Sequence, residues 1–497
     1  MKLKALILFA ILSSCKNDFL DKAPETVVPA AEFYKTESDF QQAIVGLYNP
    51  LRALYGTGLA DVGAWAMGEM RSDNTTFSFN AANRGYADRE YVDLFTDDAN
   101  SGTTSNKYNS NYIIIGRANQ VLKTIDAATF DEKQKNNFKG QALFLRAFCY
   151  FDLVQYFGDV PLALEPATSF EQTALPRTPR EDVYKQIIAD ATLAASLLPA
   201  ASAQTKGYVA NGAAYALLGN VHLVLKQWEN AESALTKITG YSLLPDYASV
   251  FDPNNKNNAE SLFEVQYLDE PTAAAASNFG YNFLPILADP GVISGFPSGN
   301  SNSYAGWNTP TPDLINSYEA ADKRKAASIG FYTGEGYVNR PYAKKFVHGA
   351  KIAPNTNDNW PVYRYAEVLL MLAEAQNEQA KPSALTSLNA VHAHPRTGLS
   401  PITTTAQTEL REQILKERQI ELAFENKRWP DLVRTGKAVA VMTAQGNKIK
   451  ANPQAYYYPA GISPVAASYN VSETKLLFPI PQREIRLNPL LKQNPGY

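Results

Sequence analysis

A mainly α-helical fold is what this 497-residue sequence predicts, with helices arranged in pairs, irregular segments between the pairs and only a few short strands. Three observations lead there. Apolar residues recur at helical spacing through most of the chain, stop signals fall where those runs end, and period-two alternation is rare. Asp39 to Leu54 carries the first helical run. In Asn111 to Asp126, the residues Tyr112, Ile115, Ala118, Leu122 and Ile125 form one buried stripe. Phe138 to Phe157 is apolar almost all round, apart from Arg146, Asp152 and a few amides, so this helix lies between others. It stops at Gly158, with Pro161 three residues on. The same reasoning predicts helices at Glu181 to Leu198, Tyr208 to Lys226, Glu229 to Ile238, Tyr363 to Gln379, Ser383 to His392, Leu410 to Glu425 and Pro430 to Met442. The clearest strand is Ser261 to Tyr267.

Leu218-Gly219, His222, Ala231 and Leu235 fall at offsets like those of the tetratricopeptide repeat, in which small residues let two helices approach closely. Other helices also come in twos, at 138 to 157 with 181 to 198, 363 to 379 with 383 to 392, and 410 to 425 with 430 to 442. Four irregular helix-pair units result. The stretches between them, about 66 to 110, 159 to 178, 240 to 360 and 444 to 497, are rich in Gly, Asn, Ser, Pro and Tyr. Connections of that length inside a compact protein are usually functional.

The N-terminus is organised for export. Lys2 and Lys4 precede an apolar run from Ala5 to Leu12, too short to cross a bilayer, and then Ser13, Ser14 and Cys15. The tetrad Leu12-Ser13-Ser14-Cys15 resembles the lipobox of bacterial lipoproteins, in which the cysteine is acylated after cleavage. This gives a signal peptide at 1 to 14, a lipidated tether at 15 to 36 and one domain from 37 to 497. Two or more acyl chains hold such a domain on a membrane without spanning it. The polar, acidic stretch after Cys15 resembles the export tags of surface lipoproteins in some Gram-negative bacteria, which places the protein on the outer face of the outer membrane. Cys149 is the only other thiol, so with Cys15 acylated no disulfide forms within the chain.

Five separated blocks resemble the SusD/RagB family of outer-membrane nutrient-binding lipoproteins. They are the lipobox start, GQALFLRAFCYFDLVQYFGDVPL, YRYAEVLLMLAEAQNE, ERQIELAFENKRWPDLVRTGK and the closing LFPIPQREIRLNPLLKQNPGY, in that order from Cys15 to Tyr497. The resemblance implies a scaffold of four tetratricopeptide-like units carrying an irregular ligand-binding half, interleaved at about 66 to 110 and 240 to 360. It implies no catalysis and no cofactor. It implies capture of an oligosaccharide, or in some members a peptide, for a SusC-like TonB-dependent β-barrel transporter. A peptide- or protein-gripping repeat scaffold is the alternative.

Composition and motifs exclude other classes. The net charge of −3 and the lack of Lys/Arg clusters interleaved with aromatics argue against nucleic acid. No Gly-x-Ser-x-Gly, His-Glu-x-x-His or phosphate-cradling motif occurs. His392-Ala-His394 lacks acidic or Cys partners at ligand spacing, so no metal is predicted there. The loop from Asp252 lacks the turn glycine of a calcium site and has Phe263 where the bidentate Glu belongs. Glu417, Glu421 and Glu425 stack on adjacent turns, which fits an ion-pair network with Arg418 and Arg428 better than carboxylates facing each other across a cleft.

Sugar recognition calls for flat aromatic faces beside planar amides, carboxylates and guanidinium groups. The irregular segments supply both. Candidate ligand-binding residues are Arg71, Asp73, Asn74 and Phe77 in GEMRSDNTTFSFN, Asn302, Tyr304 and Trp307 in GNSNSYAGWNTPTP, and Trp360 in NTNDNWPVYRY. Each has a structural alternative: local capping for the first group, anchoring of a loop to the scaffold for Trp307, and packing against the following helix for Trp360.

Overall fold

The computed structural model describes residues 33–56, 63–79, 87–169, 171–270, 275–286, 293, 306–334, 336–349 and 355–497. The expected signal peptide, most of the tether including Cys15, and the candidates Asn302 and Tyr304 lie outside these residues. The scaffold helices are α1 (Glu37–Tyr55), α2 (Gly102–Thr124), α3 (Glu132–Phe157), α4 (Arg180–Leu197), α5 (Asn211–Val224), α6 (Trp228–Leu235), α7 (Tyr365–Glu378), α8 (Ser383–His392), α9 (Gln407–Glu421), α10 (Arg428–Arg434) and α11 (Ala438–Ala451). The mainly α architecture is therefore as expected, and the predicted partners pack together: α3 on α4, α5 on α6, α7 on α8 and α9 on α10.

Local chemistry sets several boundaries. Thr36 caps α1 in a reciprocal box with Asp39, which satisfies two otherwise orphaned N–H groups. The glycine expected to seat one helix against its partner does so: a Cβ on Gly219 of α5 would lie 2.5 Å from the Leu235 side chain of α6. Gly158 ends α3 in the left-handed region, at φ +70°. In α3 the run from Gly140 to Val154 is entirely buried, which follows from its near-uniform apolarity.

Several boundaries differ from the sequence reading, among them the start of α3 at Glu132, six residues before the predicted Phe138, and two others are instructive. Helix α2 begins at Gly102, nine residues before the predicted start. Its first turns, Gly-Thr-Thr-Ser-Asn, are poor helix formers, but Thr103, Thr104 and Lys107 are buried, so tertiary packing overrides propensity. The helix expected at Pro430 to Met442 is two helices, α10 and α11, because Gly436 adopts φ +71° between them.

The strands are β1 (Thr75–Thr76), β2 (Ser261–Val265), β3 (Thr309–Pro310), β4 (Ile329–Gly334), β5 (Tyr337–Ala343) and β6 (Trp360–Arg364). They form three antiparallel pairs, β1 with β3, β2 with β6 and β4 with β5. Pair β2–β6 knits the irregular half to the scaffold. Phe263 of β2 meets Phe144 and Phe148 of α3 edge to face, with centroids 5.4 and 5.9 Å apart. Among the described residues no helix is long and apolar enough to cross a membrane.

Candidate functional site

Four irregular stretches converge at one edge of the scaffold: 66–79, 306–311, the β4–β5 hairpin and 453–458. Pair β1–β3 brings the first two together, with Thr75 opposite Pro310 and Thr76 opposite Thr309. The Ser78 N–H donates to the Gly306 carbonyl at 2.8 Å. Gly306 has φ +63°, and a Cβ there would lie 2.8 Å from that of Ser78, so the approach requires glycine. Tyr457, itself at φ +72°, donates its hydroxyl to the Pro310 carbonyl at 2.6 Å and so fastens the fourth stretch to the second.

Phe77 and Phe79, two residues apart on the extended chain after β1, lie on one face and both meet Tyr458. Phe77 is buried and meets Tyr458 edge-on, with centroids 5.9 Å apart. Phe79, two residues further on, is half-buried and stacks on Tyr458 at 5.9 Å and 27°. On the hairpin, Tyr337 and Arg340 are half-buried, and Val338 between them is 82 % exposed. The Arg340 guanidinium carbon lies 4.7 Å from the Tyr337 ring centroid and 4.9 Å from that of Tyr457. The result is a face of partly exposed rings, Phe79, Tyr337 and Tyr457, with one guanidinium among them.

Of the predicted site residues, Arg71, Asp73, Asn74 and Phe77 are engaged by other parts of the protein. Arg71 is fully buried and pairs with Asp97. It also donates to the Val92 and Lys475 carbonyls at 3.0 Å and lies 4.0 Å from the Phe95 centroid. Asp73 takes both arms of Arg428, at 2.7 and 2.8 Å. Asn74 is buried between Glu69, to which it donates at 2.8 Å, and Gln419, from which it accepts at 2.8 Å. For these residues and Phe77, the protein itself uses the polar atoms or ring faces expected to meet a ligand. Most of these contacts are long-range and so differ from the local capping that the sequence suggests as the alternative, and a buried guanidinium or amide needs such partners at all times, with or without ligand.

Trp307 sits on the inner side of the same face. The Arg89 guanidinium covers its ring at 3.7 Å, and Trp65 lies 6.0 Å away. Trp360 is 1 % exposed, which removes it from any surface. It opens β6 rather than packing on the following helix, stacks on Phe346 at 4.8 Å and meets Phe279 at 5.0 Å.

Sequence reasoning missed Tyr337, Arg340 and Tyr457. The run Tyr456-Tyr457-Tyr458 was the available signal, since three consecutive tyrosines cannot all point inward from one irregular turn. Tyr456 and Tyr458 are buried, and Tyr457 is not.

The carboxylate row on α9 is the expected ion-pair network, with different cations. Glu421 receives Arg324 at 2.7 Å, Arg364 at 2.6 Å and Arg396 at 2.6 Å. Glu425 receives Lys345 at 2.9 Å and Arg364 at 2.7 Å, and Glu417 pairs with Arg324 and His392. Arg418 and Arg428, the predicted partners, serve Asp431 and Asp73 instead. Burial raises the Glu421 carboxyl, but the three guanidinium groups outweigh it and hold it well below the usual range. Such a group is neither a proton donor nor a poised base. Among the described residues no cluster of three or more His, Cys, Asp or Glu has metal-binding geometry.

A separate groove of about 980 Å³ runs between α2, the segment 161–175 and the segment 484–491. Its floor is pinned from below, with Tyr112 donating to the Pro161 carbonyl at 2.8 Å and Asn119 to the Ala163 carbonyl at 2.9 Å. Leu164 and Leu487 stand exposed along it.

Comparison with known proteins agrees with this architecture. A family model described as "SusD family" matches residues 325–497, and one described as "Starch-binding associating with outer membrane" matches 18–223. A SusD-like protein of Formosa agariphila is 29% identical over 100% of this chain and 99% of its own length. Another, from Bacteroides ovatus, is 24% identical over 87% of this chain and 82% of its own length. A solved structure titled "Laminarin binding SusD-like protein" is 26% identical with a TM-score of 0.76, covering 93% of this chain and 100% of that one. A SusD superfamily protein from Bacteroides vulgatus is 25% identical with a TM-score of 0.75, over 94% of this chain and 100% of its own.

Proposed function

The chain belongs to the SusD/RagB family, and from that premise we propose that it is a non-catalytic, outer-membrane-associated lipoprotein that binds an oligosaccharide through the aromatic face and passes it to a SusC-like TonB-dependent barrel. The observation that carries the reading is the set of half-buried rings Phe79, Tyr337 and Tyr457, held by backbone pairing at the junction of the irregular stretches. Ring faces meet the C–H faces of sugars at little entropic cost, because each side chain is already fixed by its neighbours. Passing the ligand on requires fast release, which goes with moderate affinity. Acylation at Cys15 anchors the protein to the outward leaflet.

Calorimetry of the lipid-free protein against plant, algal and microbial glycans tests the reading. One polymer class binds, and Tyr457→Ala weakens that binding by about ten-fold or more while leaving the melting temperature within a few degrees. Binding that survives removal of Phe79, Tyr337 and Tyr457 together places the site elsewhere. For the anchor, Cys15→Ala releases the protein from washed outer membranes. For the transporter, affinity capture of the lipoprotein from its own cells brings down a β-barrel.

The groove between α2 and 484–491 favours a second reading, capture of a peptide with aliphatic side chains against Leu164 and Leu487. Peptides that bind while no glycan does support it over the first.

A further inference from the structure

Half-buried Arg340 differs from four fully buried guanidinium groups. Arg71, Arg324, Arg364 and Arg396 each meet at least one carboxylate. Arg340 forms no ion pair with any described residue. Its Nη1 is buried and has no hydrogen-bond partner. Two rings lie beside it, Tyr337 at 4.7 Å and Tyr457 at 4.9 Å. Burial pulls its pKa below the ordinary arginine value, with only the two phenols opposing. A guanidinium stays charged even so, which leaves a cation without counter-charge among the described residues at the rim of the proposed binding face.

The rings also hold its plane. Two aromatic faces against one guanidinium restrict its rotation, and the N–H edge is then the group that remains to be satisfied. A planar fork of donors matches two oxygens of a carboxylate or sulfate, and charge-assisted bonds of this kind are about twice as strong as neutral ones. Sugar hydroxyls alone would leave the charge uncompensated. Within Tyr337 to Ala343 there is no acidic residue, and Glu335 of the hairpin turn lies outside the described residues.

We propose that Arg340 recognises an acidic substituent, a carboxylate or a sulfate ester, so that the ligand class is an anionic oligosaccharide, the rings of Tyr337 and Tyr457 orienting the guanidinium edge toward it. The inference rests on the glycan-binding reading and deepens it. A neutral glucan satisfies the ring faces and leaves Arg340 unmet. An acidic glycan satisfies both.

The test is calorimetry of the full-length lipid-free chain with matched pairs: oligogalacturonides and their methyl esters for carboxylate, and sulfated galactan oligosaccharides and their desulfated forms for sulfate. Neutral laminari-oligosaccharides complete the panel. The expected result is that an acidic member binds about ten-fold or more tightly than its neutral counterpart at low salt, and that the preference shrinks as salt rises. Arg340→Gln abolishes the preference, and Arg340→Lys, which keeps charge but not the fork, retains only part of it. Melting curves confirm that both variants fold. Whichever pair shows the preference identifies the anion. Equal binding of acidic and neutral partners, or a preference that persists in Arg340→Gln, overturns the inference and leaves glycan binding standing. Absence of binding to every glycan overturns the underlying reading, and this inference with it.

Discussion

Arg364 in β6 and Glu421 at the end of α9 are joined at two points: Nη1 donates to the carboxylate at 2.6 Å and Nη2 donates to the Glu421 carbonyl at 2.5 Å. One side chain thus neutralises a buried charge and caps a helix end, tying the irregular half to the scaffold. Arg324 and Arg396 converge on the same carboxylate, so three cations depend on it.

Glu421→Gln therefore leaves buried guanidinium groups undercompensated. The expected loss is about 3 to 5 kcal/mol of unfolding free energy, typical of breaking a buried ion pair from one side. Urea denaturation measures it, and a loss below about 1 kcal/mol contradicts the network as drawn.

Packing at the α5–α6 contact rests on Gly219. Gly219→Val forces branched atoms against Leu235, which lies 2.5 Å from the position of a new Cβ. Overpacking of this kind costs about 1 to 3 kcal/mol. Adding Leu235→Ala to the same chain makes room and recovers part of the loss, which a double-mutant cycle measures.

Behind β1, Asp93 accepts from the Thr76 hydroxyl at 2.7 Å and the Phe77 N–H at 3.4 Å. Burial pushes its carboxyl up to about 8 from an ordinary 3.8. A raised carboxyl stabilises the fold fully below the unfolded value and loses that contribution as pH rises through the folded one. Stability therefore falls between about pH 4 and pH 8, by up to about 1.4 kcal/mol per pH unit for this group. Asp93→Asn flattens that decline in denaturation series at stepped pH.

Asp431 slopes the other way. Burial raises it, but Arg418 and Arg434 outweigh that and hold it down to about 2. Its contribution is complete above the unfolded carboxylate value near 4 and is lost as pH falls toward 2. Asp431→Asn removes that part of the acid sensitivity in the same series and lowers stability at neutral pH.

Trp360 and Tyr457 separate structure from binding. Trp360→Ala empties a packed site beside Phe346 and Phe279 and costs about 3 to 5 kcal/mol. Tyr457→Ala changes glycan affinity with little change in melting temperature. Equal effects of the two variants on stability would place Tyr457 in the core.

The helix pairs were legible because periodicity is a local property: the stripe in α2 and the all-round apolarity of α3 follow from spacing alone. Gly219 was legible for the same reason, since a small residue at a repeat offset has one packing use. The site was less legible. Arg71, Asn74 and Trp360 have the side chains of a sugar site, yet fold inward among protein partners. Tyr337 and Arg340 are neighbours on β5, but Tyr457 is more than a hundred residues away in sequence and is fastened nearby through the Tyr457–Pro310 hydrogen bond.

By itself, the order of residues determined the helical scaffold, its pairing and the export signature at Cys15, because each rests on patterns within about twenty neighbouring positions. Tertiary structure alone decided which cations reach Glu421 and which rings face outward. Those outcomes depend on contacts between segments up to hundreds of residues apart, where burial and charge compensation act on distance in space and not on distance along the chain.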